Sequence, residues 1–178
     1  MEATDETCSA VYHAVAEGKP LIRRIVTVAG DCVKEPKNLL VPLGTSFSDV
    51  IEYCGGFTKE PDKLISGGPM MGMAQWDPET PVTKGTSAIL ALKEQKSNVV
   101  PACIHCGKCI GVCPMHLMPN YLAQFSSHDR LDMCEKYNVL SCVECGCCTY
   151  TCPGNVPIVQ HIRKAKGRIQ ELRKQAKK

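Results

Sequence analysis

Eight of the thirteen cysteines fall into two runs of one pattern. Cys103, Cys106, Cys109 and Cys113 form the first run, and Cys142, Cys145, Cys148 and Cys152 form the second. Each reads C-x-x-C-x-x-C-x-x-x-C-P and closes on Pro114 or Pro153. Thiolates are soft ligands that suit iron–sulfur cores. Three thiols spaced in this way can leave one tight loop and hold three irons of a cube, and a fourth must come from elsewhere. The spacing is that of a pair of [4Fe–4S] clusters. The chemistry it implies is the uptake and release of single electrons, with no catalytic side chain of the chain's own.

In two-cluster ferredoxins the fourth cysteine of each run ligates the other cluster. On that pattern Cys103, Cys106, Cys109 and Cys152 hold one cluster, and Cys142, Cys145, Cys148 and Cys113 hold the second. The repeat extends past the cysteines, since CIHCGKCIGVCPMHLMP (103–119) aligns with CVECGCCTYTCPGNVP (142–157) and Gly107 matches Gly146. Each copy is one structural unit, and crossed ligands make metal and fold inseparable. The glycines let the backbone turn close to the core. The prolines end the loops and remove an N–H that would need a partner.

Zinc is the first alternative, but Cys₄ zinc sites use two pairs of cysteines per ion rather than triplets with a distant fourth. A disulfide scaffold is the second. The start MEATDETCSA has no secretory signal pattern, and an odd cysteine count points to a reducing compartment. Cys147 breaks the repeat and is left out of the ligand set. Cys8, Cys32, Cys54 and Cys134 are isolated and read as buried small hydrophobes.

The elements that must position these loops follow from the rest of the 178 residues. That length suits one domain or two small ones. Residues 1–19 hold a helix, AVYHAVAEG, stopped by Gly18 and Pro20. The stretch 21–44 is strand-rich, with a turn at Gly30–Asp31. Thr45 or Ser46 caps a short helix, FSDVIEYCGG, closed by Gly55–Gly56. Lys63–Ser66, a loop GGPMMG (67–72) and a strand around Thr86–Leu92 complete an α+β domain of β-grasp type. The loop lacks the ending of a phosphate loop, and Met70, Met71 and Met73 read as packing residues. Lys93–Asn98 is a polar linker. Between the cysteine runs, Asn120–Leu140 reads as a helical hairpin broken at Ser127–His128–Asp129, and a long helix runs from Val156 to about Lys174.

No run of eighteen apolar residues occurs, so no membrane-spanning helix is expected. The net charge of +3 hides an asymmetry: His161–Lys178 carries eight Lys/Arg and one Glu, leaving the remainder mildly acidic. This reads as a solvated helix end, where cations suit the dipole. The absence of aromatic residues there argues against nucleic acid, and an acidic protein partner or lipid surface is the second choice.

The order GKPLIRRIVTVAGD, VPLGTSFSDVIEYCGGF, ISGGPMMG and PVTKGTSAILAL, followed by both cysteine runs, resembles the C subunit of the Rnf electron-transport complex over about residues 15–170. The resemblance implies an SLBB-type β-grasp domain at 20–92, the linker at 93–98, and a mostly helical ferredoxin-like domain with two [4Fe–4S] clusters at 99–178. It implies electron transfer within a membrane-associated, ion-translocating ferredoxin:NAD oxidoreductase, peripheral at the cytoplasmic face of the bacterial membrane. The implied partners are the other Rnf subunits and electron carriers such as ferredoxin. FMN and NAD belong to a region upstream in that family, and residues 1–19 read as its last helix, so this chain alone is expected to hold neither. His116 departs from the glycine that the family often carries after Cys-Pro-Met, which bears on the geometry of that loop. Two other readings remain: a cobalamin reductase-type flavin and iron–sulfur protein, and a cluster protein whose metal only nucleates folding.

Overall fold

The computed structural model describes residues 5–93 and 102–176. Two compact units divide the chain, Met1–Lys96 and Ser97–Lys178. Apart from Lys93, the polar linker at 93–98 lies outside the described residues.

The first unit is α+β. Helix α1 (Asp5–Ala16) precedes strands β1 (Arg23–Ala29) and β2 (Lys37–Pro42), helix α2 (Phe47–Tyr53), and strands β3 (Lys63–Ser66), β4 (Met73–Gln75) and β5 (Ala88–Leu92). One mixed sheet has the order β2-β1-β5-β3-β4. The parallel pair β1–β5 lies at its centre and the other pairings are antiparallel. This is the β-grasp arrangement, with α2 on the connection between the two central strands. Period-two alternation sets the buried face: Val26 and Val28 of β1, Val41 of β2, and Ile89 and Ala91 of β5 point inward. Helix α2 answers with Phe47, Val50 and Ile51 at helical spacing. Ser46 caps it, its hydroxyl accepting from the Asp49 N–H at 3.1 Å. At the far end Gly55 and Gly56 take positive φ, and their amides donate to the Glu52 and Ile51 carbonyls.

Gly30 is required by contact as well as by φ. A Cβ there would lie 2.0 Å from the Ala91 carbonyl oxygen. The chain leaving β1 therefore passes flush against β5, and the Cys32 amide donates to that same carbonyl at 3.2 Å. Cys32 and Cys54 are buried in this core and Cys134 in the second, as expected of small hydrophobes; Cys8 on α1 is exposed and is not one.

Two features differ from the sequence-based expectation. The final strand starts at Ala88, because Thr86 closes a turn by accepting the Thr83 amide at 3.1 Å. The three methionines are not core residues. A three-residue edge strand, β4, follows the glycine loop and leaves Met70, Met71 and Met73 exposed, with Trp76 beyond it 96% exposed. A three-residue strand is too short to show alternation, and the apolar type of its residues is the misleading signal.

The second unit is helical: α3 (Lys108–Gly111), α4 (Pro119–Ser127), α5 (Leu131–Lys136), a 3-10 turn (Val139–Ser141), α6 (Cys147–Tyr150) and α7 (Ile158–Gln175). The hairpin breaks where expected, at Asp129, whose φ is +54°. Pro119 opens α4, where its missing N–H costs nothing. Ile158, Ile162, Ala165 and Ile169 make the buried stripe of α7, which packs on Leu122 and Ala123 of α4 and on Val139. Tyr121, Phe125 and Tyr137 close the hairpin, with ring centroids 5.3–6.1 Å apart. The buried Ser126 hydroxyl donates to the His161 carbonyl at 2.6 Å. The basic residues of α7 pair largely with acids of their own unit: Lys164 and Arg168 with Asp129, and Arg173 with Glu135. No helix among the described residues is long and apolar enough to cross a membrane.

The β-grasp core predicts a sharp contrast between two aromatic positions. Phe47→Ala should destabilise this unit by about 3–5 kcal/mol. Trp76→Ala should change stability by no more than about 0.5 kcal/mol. Urea unfolding followed by circular dichroism distinguishes them, and comparable losses would contradict the burial described.

Candidate functional site

The two cysteine runs have the same backbone. His105 and Glu144, the second residues after the first cysteines, both take left-handed φ (+55° and +56°). Gly107 and Gly146 follow at +74° and +86° and start α3 and α6. The Ile110 and Thr149 amides donate back to those glycines. Cys113 and Cys152 end each turn with amides donated to Ile110 and Thr149. Three residues later His116 and Asn155 again take positive φ, +52° and +49°. The left-handed region is costly for most residues, and His and Asn are among those that visit it. His116 therefore keeps the turn that a glycine would make there.

The loops are joined end to start. The Ala102 amide donates to the Gly154 carbonyl at 3.2 Å. A Cβ on Gly154 would lie 2.0 Å from the Ala102 carbonyl oxygen, so only glycine allows the approach. This contact carries Cys152, two residues before Gly154, to Cys103, one residue after Ala102.

The eight cysteines sort into two cavities. Cys103, Cys106, Cys109 and Cys152 line one of about 300 Å³, together with Asn120, Gln124 and Ser127 of α4 and His161 of α7. Cys113, Cys142, Cys145 and Cys148 line the other, with Leu117, Glu144, Val159 and Ile162. The fourth cysteine of each run thus stands among the first three of the other. Cys109 and Cys148, on α3 and α6, are buried, whereas Cys103 and Cys106 are exposed at the mouth of the larger cavity.

The donor sets suit iron–sulfur groups, and the room differs between them. The first cavity accommodates a body of several atoms, and Asn120 contributes a buried Oδ1 with no partner. The second, as its side chains stand, leaves about 20 Å³, room for about one water. A four-iron group there requires the thiols to turn outward between staggered rotamers. Among the described residues, no three Cys, His, Asp or Glu side chains converge on a point as a single ion would need. A single zinc draws its sulfurs to about 2.3 Å from one centre; a cube, with one thiolate per iron, holds them farther apart.

Burial pushes three of these thiols up. Cys148 rises to about 11, chiefly by desolvation. Cys109 is raised by burial, opposed by the Asn120 amide. Cys142 is raised by burial, opposed by the Glu144 amide and by Lys166. Two amides point at sulfur around the second cavity: Leu117 to Cys113 Sγ and Glu144 to Cys142 Sγ, each at 3.4 Å. Ligation requires thiolates, so loading a cluster releases protons. Cys147 does not line either cavity; its thiol is raised chiefly by a hydrogen bond with Cys145.

Sequence reasoning misses the charges beside the second cavity. Glu144 accepts from Arg163 Nε at 2.9 Å and Lys166 Nζ at 2.5 Å, and Lys166 also donates to the Cys142 carbonyl at 2.9 Å. Burial opposes ionisation of Glu144, but Lys166 and Arg163 outweigh it and hold its carboxyl below the ordinary range. A signal is present: Lys166 lies four residues after Ile162, on the edge of the inward stripe of α7, and Glu144 replaces the histidine of the first run.

Comparison with known proteins gives both halves of the chain relatives. The SLBB domain family matches residues 25–74. The C subunit of the proton-translocating ferredoxin:NAD(+) oxidoreductase complex of Clostridium ljungdahlii is 49% identical over 176 residues, covering 96% of this chain and 38% of that protein. Its Na(+)-translocating counterpart in Acetobacterium woodii is 46% identical, covering 92% and 37%. The C subunit of the ion-translocating oxidoreductase complex of Rhodobacter capsulatus is 48% identical, covering 93% and 32%. The chain therefore spans well under half the length of these relatives.

The left-handed turn at His116 gives a direct test of the repeat geometry. His116 is exposed, so substitution acts through the backbone. His116→Gly should leave stability unchanged or raise it by up to about 1 kcal/mol. His116→Val should lower it by about 1–3 kcal/mol. Chemical denaturation of the two variants decides, and equal stabilities would mean that the turn is not left-handed.

Proposed function

We propose, for a chain homologous over nearly its whole length to the C subunits of ion-translocating ferredoxin:NAD oxidoreductase complexes, that it serves such a complex as an electron-transfer segment through two [4Fe–4S] clusters. Cys103, Cys106, Cys109 and Cys152 hold the first, and Cys142, Cys145, Cys148 and Cys113 the second. The single observation that carries the reading is the sorting of the eight thiols, four and four, with the last cysteine of each run in the other run's cavity. Bound there, such groups take up and pass on single electrons.

The residues of the chain do three things toward this. The left-handed turns at His105, Gly107, Glu144 and Gly146 aim three thiols of each run inward from one loop. The Ala102–Gly154 contact brings in the fourth for the first site. Buried apolar side chains, among them Leu117, Val159 and Ile162, line the second site, while Cys103 and Cys106 leave the first open at its mouth. An open site suits exchange with an outside carrier, and we assign the first site that role.

Other subunits of the complex and a ferredoxin-type carrier are the proposed partners, with peripheral attachment at the cytoplasmic face of the membrane through those partners. The boundaries 20–92 and 99–178 are proposed for the SLBB-type and ferredoxin-like domains.

Anaerobic reconstitution of the chain tests the reading. The expected content is about eight irons and eight acid-labile sulfides per chain, with a visible absorption that dithionite bleaches reversibly. Two zincs without sulfide would favour the structural-metal alternative. A full complement of clusters that no low-potential donor can reduce would favour a cluster that only nucleates folding.

A further inference from the structure

We propose that Lys166 sets the reduction potential of the cluster site formed by Cys113, Cys142, Cys145 and Cys148, and that Glu144 opposes it. The inference rests on the cluster reading above.

The Lys166 side chain is only 16% exposed, an unusual position for an ammonium group. It reaches the second cysteine run from α7, donating to the Cys142 carbonyl at 2.9 Å and to Glu144. Arg163 reaches the same carboxylate at 2.9 Å. Two cations thus meet one carboxylate beside the cavity, and Lys166 is the one that also reaches the cysteine loop itself. Each electron taken up at the site adds a negative charge. A fixed cation close by and little screened favours the more negative state. Glu144, which lines the cavity, does the reverse through its carboxylate, while its amide donates to Cys142 Sγ.

The first site lacks this arrangement. The position that matches Glu144 is His105, and no Lys, Arg, Asp or Glu lines that cavity among the described residues. The two halves of the repeat share a backbone and differ in charge, so the effect should be confined to one site. Ion pairs elsewhere on α7 are more exposed. Those of Asp129 with Lys164 and Arg168 have partners about half exposed on both sides and reach neither cavity lining.

Redox titration of the anaerobically reconstituted chain, followed by electron paramagnetic resonance, tests this. Lys166→Gln should shift the reduction equilibrium of one cluster tenfold or more toward the oxidised state, about 59 mV for one electron, and leave the other in place. Lys166→Arg, which keeps the charge, should restore the original midpoint. Glu144→Gln should move the same cluster the opposite way. A loosened loop would move Lys166→Gln and Glu144→Gln in the same direction, and that outcome, or unchanged midpoints with both clusters present, overturns the proposal. If Lys166→Gln does not retain its iron, Lys166→Arg and Glu144→Gln still decide it by the presence or absence of the upward shift in the second alone. A wild-type chain that assembles no clusters overturns the underlying reading instead.

Discussion

In the proposed ligation, three thiols from one short loop reach three corners of a four-cornered group, and the missing corner has to be supplied by a distant part of the chain. That constraint organises the whole second unit. The start of the first run and the end of the second are tied by the Ala102–Gly154 hydrogen bond at 3.2 Å. The hairpin of α4 and α5 spans the interval between the runs, and α7 lies across both cavities, contributing His161 to one and Val159 and Ile162 to the other. The apolar core of Leu122, Val139, Ile158 and Ile162 is small. Proposed ligands Cys109 and Cys148 belong to it, so that packing and ligation share the same residues. In a unit of this size the proposed ligation would couple metal binding to folding.

Much of this is legible in the amino-acid sequence alone. Thiol spacing is rigid information: the ligand chemistry fixes how many residues separate sulfurs on one loop, and the crossed grouping is the pattern of two-cluster ferredoxins. The helix boundaries at Ser46, Gly55 and Ser127 are legible because caps and left-handed glycines carry a local physical cause. Edge strand β4 is not, since three residues show no periodicity, and Met70, Met71 and Met73 mislead because composition does not say which face of an edge strand is covered. The charged trio Glu144, Arg163 and Lys166 is illegible for another reason. It joins a loop to a helix some twenty residues away, and although Lys166 sits on the edge of the inward stripe, nothing local marks its partner.

The near-symmetry of the two runs makes their differences informative. His105 and Glu144 occupy one backbone position with φ within a degree of each other, so the side chains are free to diverge without disturbing the turn. The first cavity has two exposed thiols and no Lys, Arg, Asp or Glu in its lining among the described residues; around the second, two amides are directed at sulfur and a cation stands alongside. Net charge and exposure are among the levers that set cluster potentials, and both differ between the sites. The β-grasp unit holds none of the eight thiols; it has a core of its own in Val26, Val28, Phe47 and Ile89.

The crossed assignment is the claim on which the rest stands, and single-cysteine variants test it most directly. In electron paramagnetic resonance of the reduced chain, Cys113→Ala should damage the cluster that also depends on Cys142, Cys145 and Cys148, and leave the one held by Cys103, Cys106 and Cys109. Cys152→Ala should do the reverse, and Cys147→Ala should leave both signals. Loss of the first-run cluster in Cys113→Ala, with the second-run cluster intact, would contradict the account.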